Sequence, residues 1–183
     1  LFSHAELEQL AEFCARHDLY VCSDEIHADL ILDGRTPHLP FGKVLSEHFP
    51  ELFKRCITLH SPSKTYNIAG LGIAWAVIPD PVLRQRLHKA MQKLVPDPCS
   101  FGFTALQAIL ADDDEWRQAL LAQLRENRDK VSAALERMGL AHTHPEVTYL
   151  TWIDARPLAS RVGNPAQWFE EHGAGCPTAA TSA

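Results

Sequence analysis

Two short stretches hold the residue types with chemistry in them. The first, LYVCSDEIHADL (19–30), runs a short apolar strand into Asp24, Glu25, Ile26 and His27. An acidic pair at a strand end suits two different tasks. It can hold Mg²⁺ beside a nucleoside triphosphate, or a single aspartate there can grip the protonated ring nitrogen of a cofactor. The second, HSPSKTYNIAGLGIAWAVIPD (60–80), places Ser61, Ser63 and Lys64 just off another strand, ahead of a glycine-containing loop. A lysine there is what attack on an aldehyde needs. Its ammonium must first lose a proton, and a crowded, partly desolvated pocket favours the neutral amine. Hydroxyls beside it can bond a phosphate, or they can simply shape the turn.

The nucleotide reading lacks its other half. No GxxxxGK[ST] phosphate loop is present. Gly42-Lys43 is followed by Val44, has no upstream glycine at the right spacing, and comes after the acidic pair instead of before it. A lysine block has no role in that chemistry.

These side chains need elements to hold them. SHAELEQLAEFCARH (3–17) reads as an amphipathic helix, with Ser3 and Glu6 as a capping box. Leu7, Leu10, Ala11 and Cys14 share one face. LYVCS (19–23), CITLH (56–60) and GIAWAVIP (72–79) read as strands, and GKVLSEHFPELFKR (42–55) as a short helix broken near Pro50. This order predicts an α/β layer with a mostly parallel sheet. Three helices follow, over 80–94, 100–111 and 112–139. Asp112 to Glu115 crowd the start of the last, where the helix dipole favours negative charge, and Gly139 suits its end. PEVTYLTWIDA (145–155) alternates as a strand does. NPAQWFEEHG (164–173) reads as a final helix, with Asn164 as cap and Pro165 at its first position. Trp75, Trp116, Trp152 and Trp168 are expected in the core or at an interface.

SPSKTYNIAGL (61–71) closely resembles the Ser-x-Ser-Lys-x-x-Asn-x-Ala-Gly-Leu signature of fold-type I pyridoxal-phosphate (PLP) enzymes. VCSDEIHADLIL (21–32), FGFTALQAILADDDEWRQALLAQLRENRD (101–129) and TYLTWIDARPL (148–158) resemble the cystathionine β-lyase-like, or C–S lyase, branch of the class I/II aminotransferases. The likeness covers residues 1–172. It implies a three-layer PLP-transferase-like α/β sheet, with residues 1–111 as the C-terminal part of a PLP-binding large domain. Residues 112–183 would be a connecting helix and the start of a smaller α+β domain.

The same resemblance implies that Lys64 carries PLP and acts as the catalytic base. Asp24 would be the partner of the ring nitrogen. His27 would lie near the phenolic oxygen, where many relatives place tyrosine. Ser61 and Ser63 would face the phosphate, unless they only shape the turn. Glu25, Ile26, Asn67 and Gly70 are read as structural. Gly72 stands where many aminotransferases carry an arginine, which favours β-elimination of sulfur amino acids over amino transfer. An aminotransferase of the same fold and a non-catalytic fragment or regulatory relative are the alternatives. The full-length form is expected to be a homodimer acting on cystathionine or a related sulfur amino acid.

Composition narrows the rest. The 183 residues, 46% apolar, suffice for one sizeable core or one domain and part of another. The chain opens on Leu1 and closes on a small, polar tail, so a fragment is expected. A net charge of −6 with scattered basic residues disfavours nucleic acid as partner. No apolar run is long enough to span a bilayer. Five cysteines, widely and irregularly spaced with no CxxC, favour buried free thiols in a reducing cytoplasm over a zinc ribbon or a disulfide framework. His142 and His144 form a histidine pair with no third ligand close in sequence, and no metal is expected.

Overall fold

The computed structural model describes residues 1–34, 37–111 and 114–174. Asp112 and Asp113 of the acidic helix start, Cys176 and the small polar tail lie outside the described residues. The first helix, α1 (His4–Arg16), begins where Ser3 and Glu6 cap each other. Ser3 Oγ accepts from the Glu6 amide at 3.3 Å, and the Glu6 carboxylate accepts from the Ser3 amide at 2.7 Å. Leu7, Ala11 and Cys14 are buried as the spacing predicts, whereas Leu10 is 41% exposed.

Strands β1 (Val21–Asp24), β2 (Cys56–His60) and β3 (Trp75–Val77) form a sheet in that order. β1 and β2 are parallel, with Val21 opposite Cys56 and Asp24 opposite Leu59. β3 runs antiparallel to β2, pairing Thr58 with Val77 and His60 with Trp75. The sheet is therefore mixed, not mostly parallel. A parallel return needs a crossover of a dozen or more residues, usually a helix. Residues 61–74 form the lysine turn and a single 3₁₀ turn (Ala69–Leu71), so the chain re-enters the sheet from the end at which it left.

Helices α2 (Phe41–His48) and α3 (Pro50–Phe53) are split at Phe49, with Pro50 at the first position of α3. With α1 they cover one sheet face. Leu7, Ala11, Cys14, Val21, Phe41, Val44, Leu45, Leu52 and Cys56 make that core. Alternation along β1 sends Val21 into it and Cys22 outward. Cys14 and Cys56 are buried thiols as expected, but Cys22 and Cys99 are exposed; all four are free. Asp80 caps α4 (Pro81–Met91) by accepting from the Leu83 amide at 2.6 Å. On α5 (Ser100–Ala111), Gly102 backs onto the segment after the lysine turn. A Cβ there would stand 2.9 Å from the Leu71 carbonyl oxygen, so only glycine allows this approach.

The chain divides into two compact units, Leu1–Gln123 with Glu146–Thr148, and Leu124–Pro145 with Tyr149–Ala183; the boundary falls inside α6 (Glu115–Arg137). In the second unit Gly139 ends α6 with φ +67, and the Leu140 amide returns to the Leu135 carbonyl at 3.0 Å. Asn164 caps α8 (Pro165–Glu171), which follows the single-turn α7 (Ala159–Val162). The alternating stretch 145–155 does not form the expected strand. Thr148 adopts φ +64, which breaks the pleat. Only isolated bridges remain, Ile31 with Val147 and His142 with Ile153. None of the four tryptophans is buried: Trp75 stacks on His60, Trp116 on Tyr66 and Trp168 on His172. Among the described residues no helix is long and apolar enough to cross a membrane.

Candidate active site

Because β1 and β2 are parallel, both end at the same edge of the sheet, the edge where open α/β sheets bind ligands. Asp24 is the last residue of β1, and Ser61 to Lys64 follow the last residue of β2. Asp24 is exposed, and its Oδ1 accepts from the Ile26 amide at 3.2 Å. That bond turns the chain sharply and delivers His27 to the same edge.

His27 reports the company it keeps. Its Nδ1 lies 2.9 Å from Thr148 Oγ1. Partial burial holds its pKa below the ordinary imidazole value; the Lys64 ammonium lowers it further, and the Asp24 carboxylate opposes both. Lys64, Asp24 and His27 are thus electrostatic neighbours, although 40 residues separate the first two in sequence. The signs fix a test. Lys64→Met removes a positive charge and should raise the His27 midpoint in an NMR titration of the imidazole. Asp24→Asn removes a negative charge and should lower it. A midpoint unmoved by either substitution would separate the three.

The hydroxyls divide. Ser61 is buried; its Oγ donates to the Ile73 carbonyl at 2.7 Å and accepts from the Ser63 amide at 3.1 Å. Its single proton is taken, so in this arrangement Ser61 shapes the turn and has no donor to offer a phosphate. Ser63 is half-buried, and its hydroxyl makes no hydrogen bond among the described residues. Lys64 itself is exposed. The described residues do not supply the desolvated surroundings expected for it, and the core under α1 to α3 contains no residue of the strand-end turn.

Three residues play parts that the sequence did not announce. Glu25, read as structural, is buried and accepts from Ser23 Oγ at 3.0 Å and the Phe41 amide at 3.0 Å, with His38 Nε2 at 2.8 Å. Burial pushes its carboxyl up, but the bonds from His38, Ser23 and the Phe41 amide together bring it below the usual carboxylate range. Glu25 thereby ties the end of β1 to the start of α2. Thr65, next to the lysine, is fully buried with no partner for its hydroxyl among the described residues. His60 stacks on Trp75 at 4.7 Å, and its buried Nδ1 likewise has no partner among the described residues. Position beside the lysine block was the one available signal for Thr65 and His60; nothing near Glu25 pointed to His38.

Gly72 adopts φ +57, a left-handed conformation in which any side chain is strained. His142 is turned away from metal chemistry by its own bonds, with Nε2 2.6 Å from Ser132 Oγ and Nδ1 3.0 Å from the Leu140 carbonyl oxygen.

The chain is similar to known proteins over most of its length. The family description "Aminotransferase class I and II" matches residues 1–173. Cystathionine beta-lyase PatB of Bacillus subtilis (strain 168) is 33% identical over 156 residues, which is 84% of this chain and 39% of that protein. The crystal structure of OvoB superposes with a TM-score of 0.87 at 43% identity, over 96% of this chain and 45% of that one. The PLP-bound C-S lyase from Staphylococcus hominis gives 0.79 at 26% identity, over 93% and 42%. The chain spans about two fifths of the length of the curated relatives it matches.

Proposed function

Since the chain belongs to the aminotransferase class I and II family, we propose that it supplies the lysine-bearing part of a PLP-dependent carbon–sulfur lyase. The reaction is β-elimination from cystathionine or a related sulfur amino acid: the C–S bond breaks to release a thiol, and one water hydrolyses the remaining aminoacrylate to pyruvate and ammonia. The observation that carries this reading is the gathering of Lys64, Asp24 and His27 at the shared end of two parallel strands.

The donor set fits the cofactor. A primary amine at Lys64 suits its aldehyde, a carboxylate at Asp24 its ring N–H, and the neutral His27 its phenolic oxygen. The Ser63 hydroxyl suits its phosphate, with Ser61 setting the turn. When bound, PLP draws electrons away from the substrate α-carbon and so acidifies its proton. Lys64, once its nitrogen is released, takes that proton as general base. Asp24 keeps the ring nitrogen protonated through a charge-assisted hydrogen bond. His27, held neutral, adds no second positive charge beside the lysine.

Gly72 supports elimination over amino transfer. Its left-handed backbone would strain any side chain, including the arginine that many aminotransferases carry there. The likeness to PatB points the same way. The unpaired, exposed Cys22 and Cys99 fit a reducing cytoplasm, and a homodimer is the assembly we expect. The test is to supply cystathionine to a protein that carries this chain at its relatives' full length. Pyruvate release should outpace amino transfer to 2-oxo acids. Amino transfer without pyruvate would replace the lyase with an aminotransferase.

A further inference from the structure

Away from the strand ends, α1 and α2 bring three metal-ligating side chains together. His4 and Glu8 lie one turn apart on α1, with Nδ1 3.3 Å from Oε2. His48, the last residue of α2, meets His4 edge-on, with ring centroids 5.6 Å apart and planes at 82°. One ligand atom from each residue lies within 4.8 Å of the other two. We propose that His4, Glu8 and His48 form a zinc site that clamps α1 to α2.

The chemistry selects the metal class. Two imidazoles and a carboxylate, with a fourth position left to water, are a zinc donor set. Mg²⁺ and Ca²⁺ prefer oxygen ligands throughout, so imidazole selects against them. The geometry is close to what the ion requires. Zinc bonds of about 2.0–2.1 Å in a tetrahedron hold ligand atoms roughly 3.4 Å apart. His4 and Glu8 already meet that spacing. Both histidines are exposed, so their side chains have room to rotate toward a common point.

The frame beneath is fixed before any metal arrives. The Ser3–Glu6 capping box sets the first turn of α1, where His4 sits. Leu7 and Ala11 from α1 pack in one core with Val44 and Leu45 from α2. The ligands thus project from two helices that cannot readily part. The site shares no residue with the strand-end cluster, so it stands or falls independently of the lyase reading.

The experiment is a Zn²⁺ titration of the 183-residue chain in competition with a chromophoric chelator. One equivalent should bind. His48→Ala and His4→Ala should each weaken binding by at least about 10-fold, since even outer-shell substitutions at zinc sites cost about 10–100-fold. Among the described residues the exposed thiols of Cys22 and Cys99 are rival ligands, and the double Cys→Ser variant should bind as the parent does. Co²⁺ in place of Zn²⁺ gives a second readout on the unmodified chain: visible d–d bands without thiolate charge transfer. Failure to bind one equivalent, binding that survives both histidine substitutions, or a thiolate band would each overturn the site.

Discussion

Lys64→Ala, in a protein carrying this chain at its relatives' full length, should abolish borohydride-fixable attachment of PLP and reduce turnover to near background. The substitution removes two roles at once, the amine that holds the cofactor and the base that takes the substrate proton. Loss of a positioned acid–base group alone typically costs about 10²–10⁴-fold. Exposed lysines elsewhere on the surface can form nonspecific adducts with an aldehyde, so the decisive measurement is peptide mapping of the trapped label. The label should fall on Lys64 in the parent protein and vanish from that peptide in the variant. A label that lies elsewhere and persists in Lys64→Ala would remove Lys64 from the site.

Asp24→Asn should separate binding from chemistry. Asp24 Oδ1 accepts from the Ile26 amide, and the asparagine oxygen can accept the same bond. The turn that carries His27 therefore survives, and only the charge is lost. A charge-assisted hydrogen bond is worth about 1.5–3 kcal/mol, or roughly 10–150-fold in rate. Its worth is greatest while negative charge is spreading into the cofactor ring. Turnover should fall by that factor while PLP content stays near that of the parent, measured by absorbance against protein concentration. An unchanged turnover number would refute the role given to Asp24.

Local order was legible in the sequence because short-range bonds set it. The Ser3–Glu6 capping box, Asn164 ahead of α8, Pro50 at the start of α3 and Gly139 at the end of α6 each act within about one helical turn, and each does what its residue type predicts. The lysine block was legible too, because Ser61 to Leu71 is one contiguous string. The distant pairings were not. The antiparallel course of β3 depends on where the chain returns after the lysine turn. The alternation of 145–155 spelled a strand, but Thr148 bends out of it and meets His27, 121 residues away. Phosphate contact and turn shaping were both open for Ser61, and its bond to the Ile73 carbonyl, 12 residues on, exists only in the fold. Composition also could not show that Cys22 faces outward while Cys14 and Cys56 face in. His4, Glu8 and His48 became a cluster only when α1 and α2 packed on a common core. A hydrogen bond between near neighbours is set by the local backbone, whereas one between distant residues exists only once packing has chosen which surfaces meet.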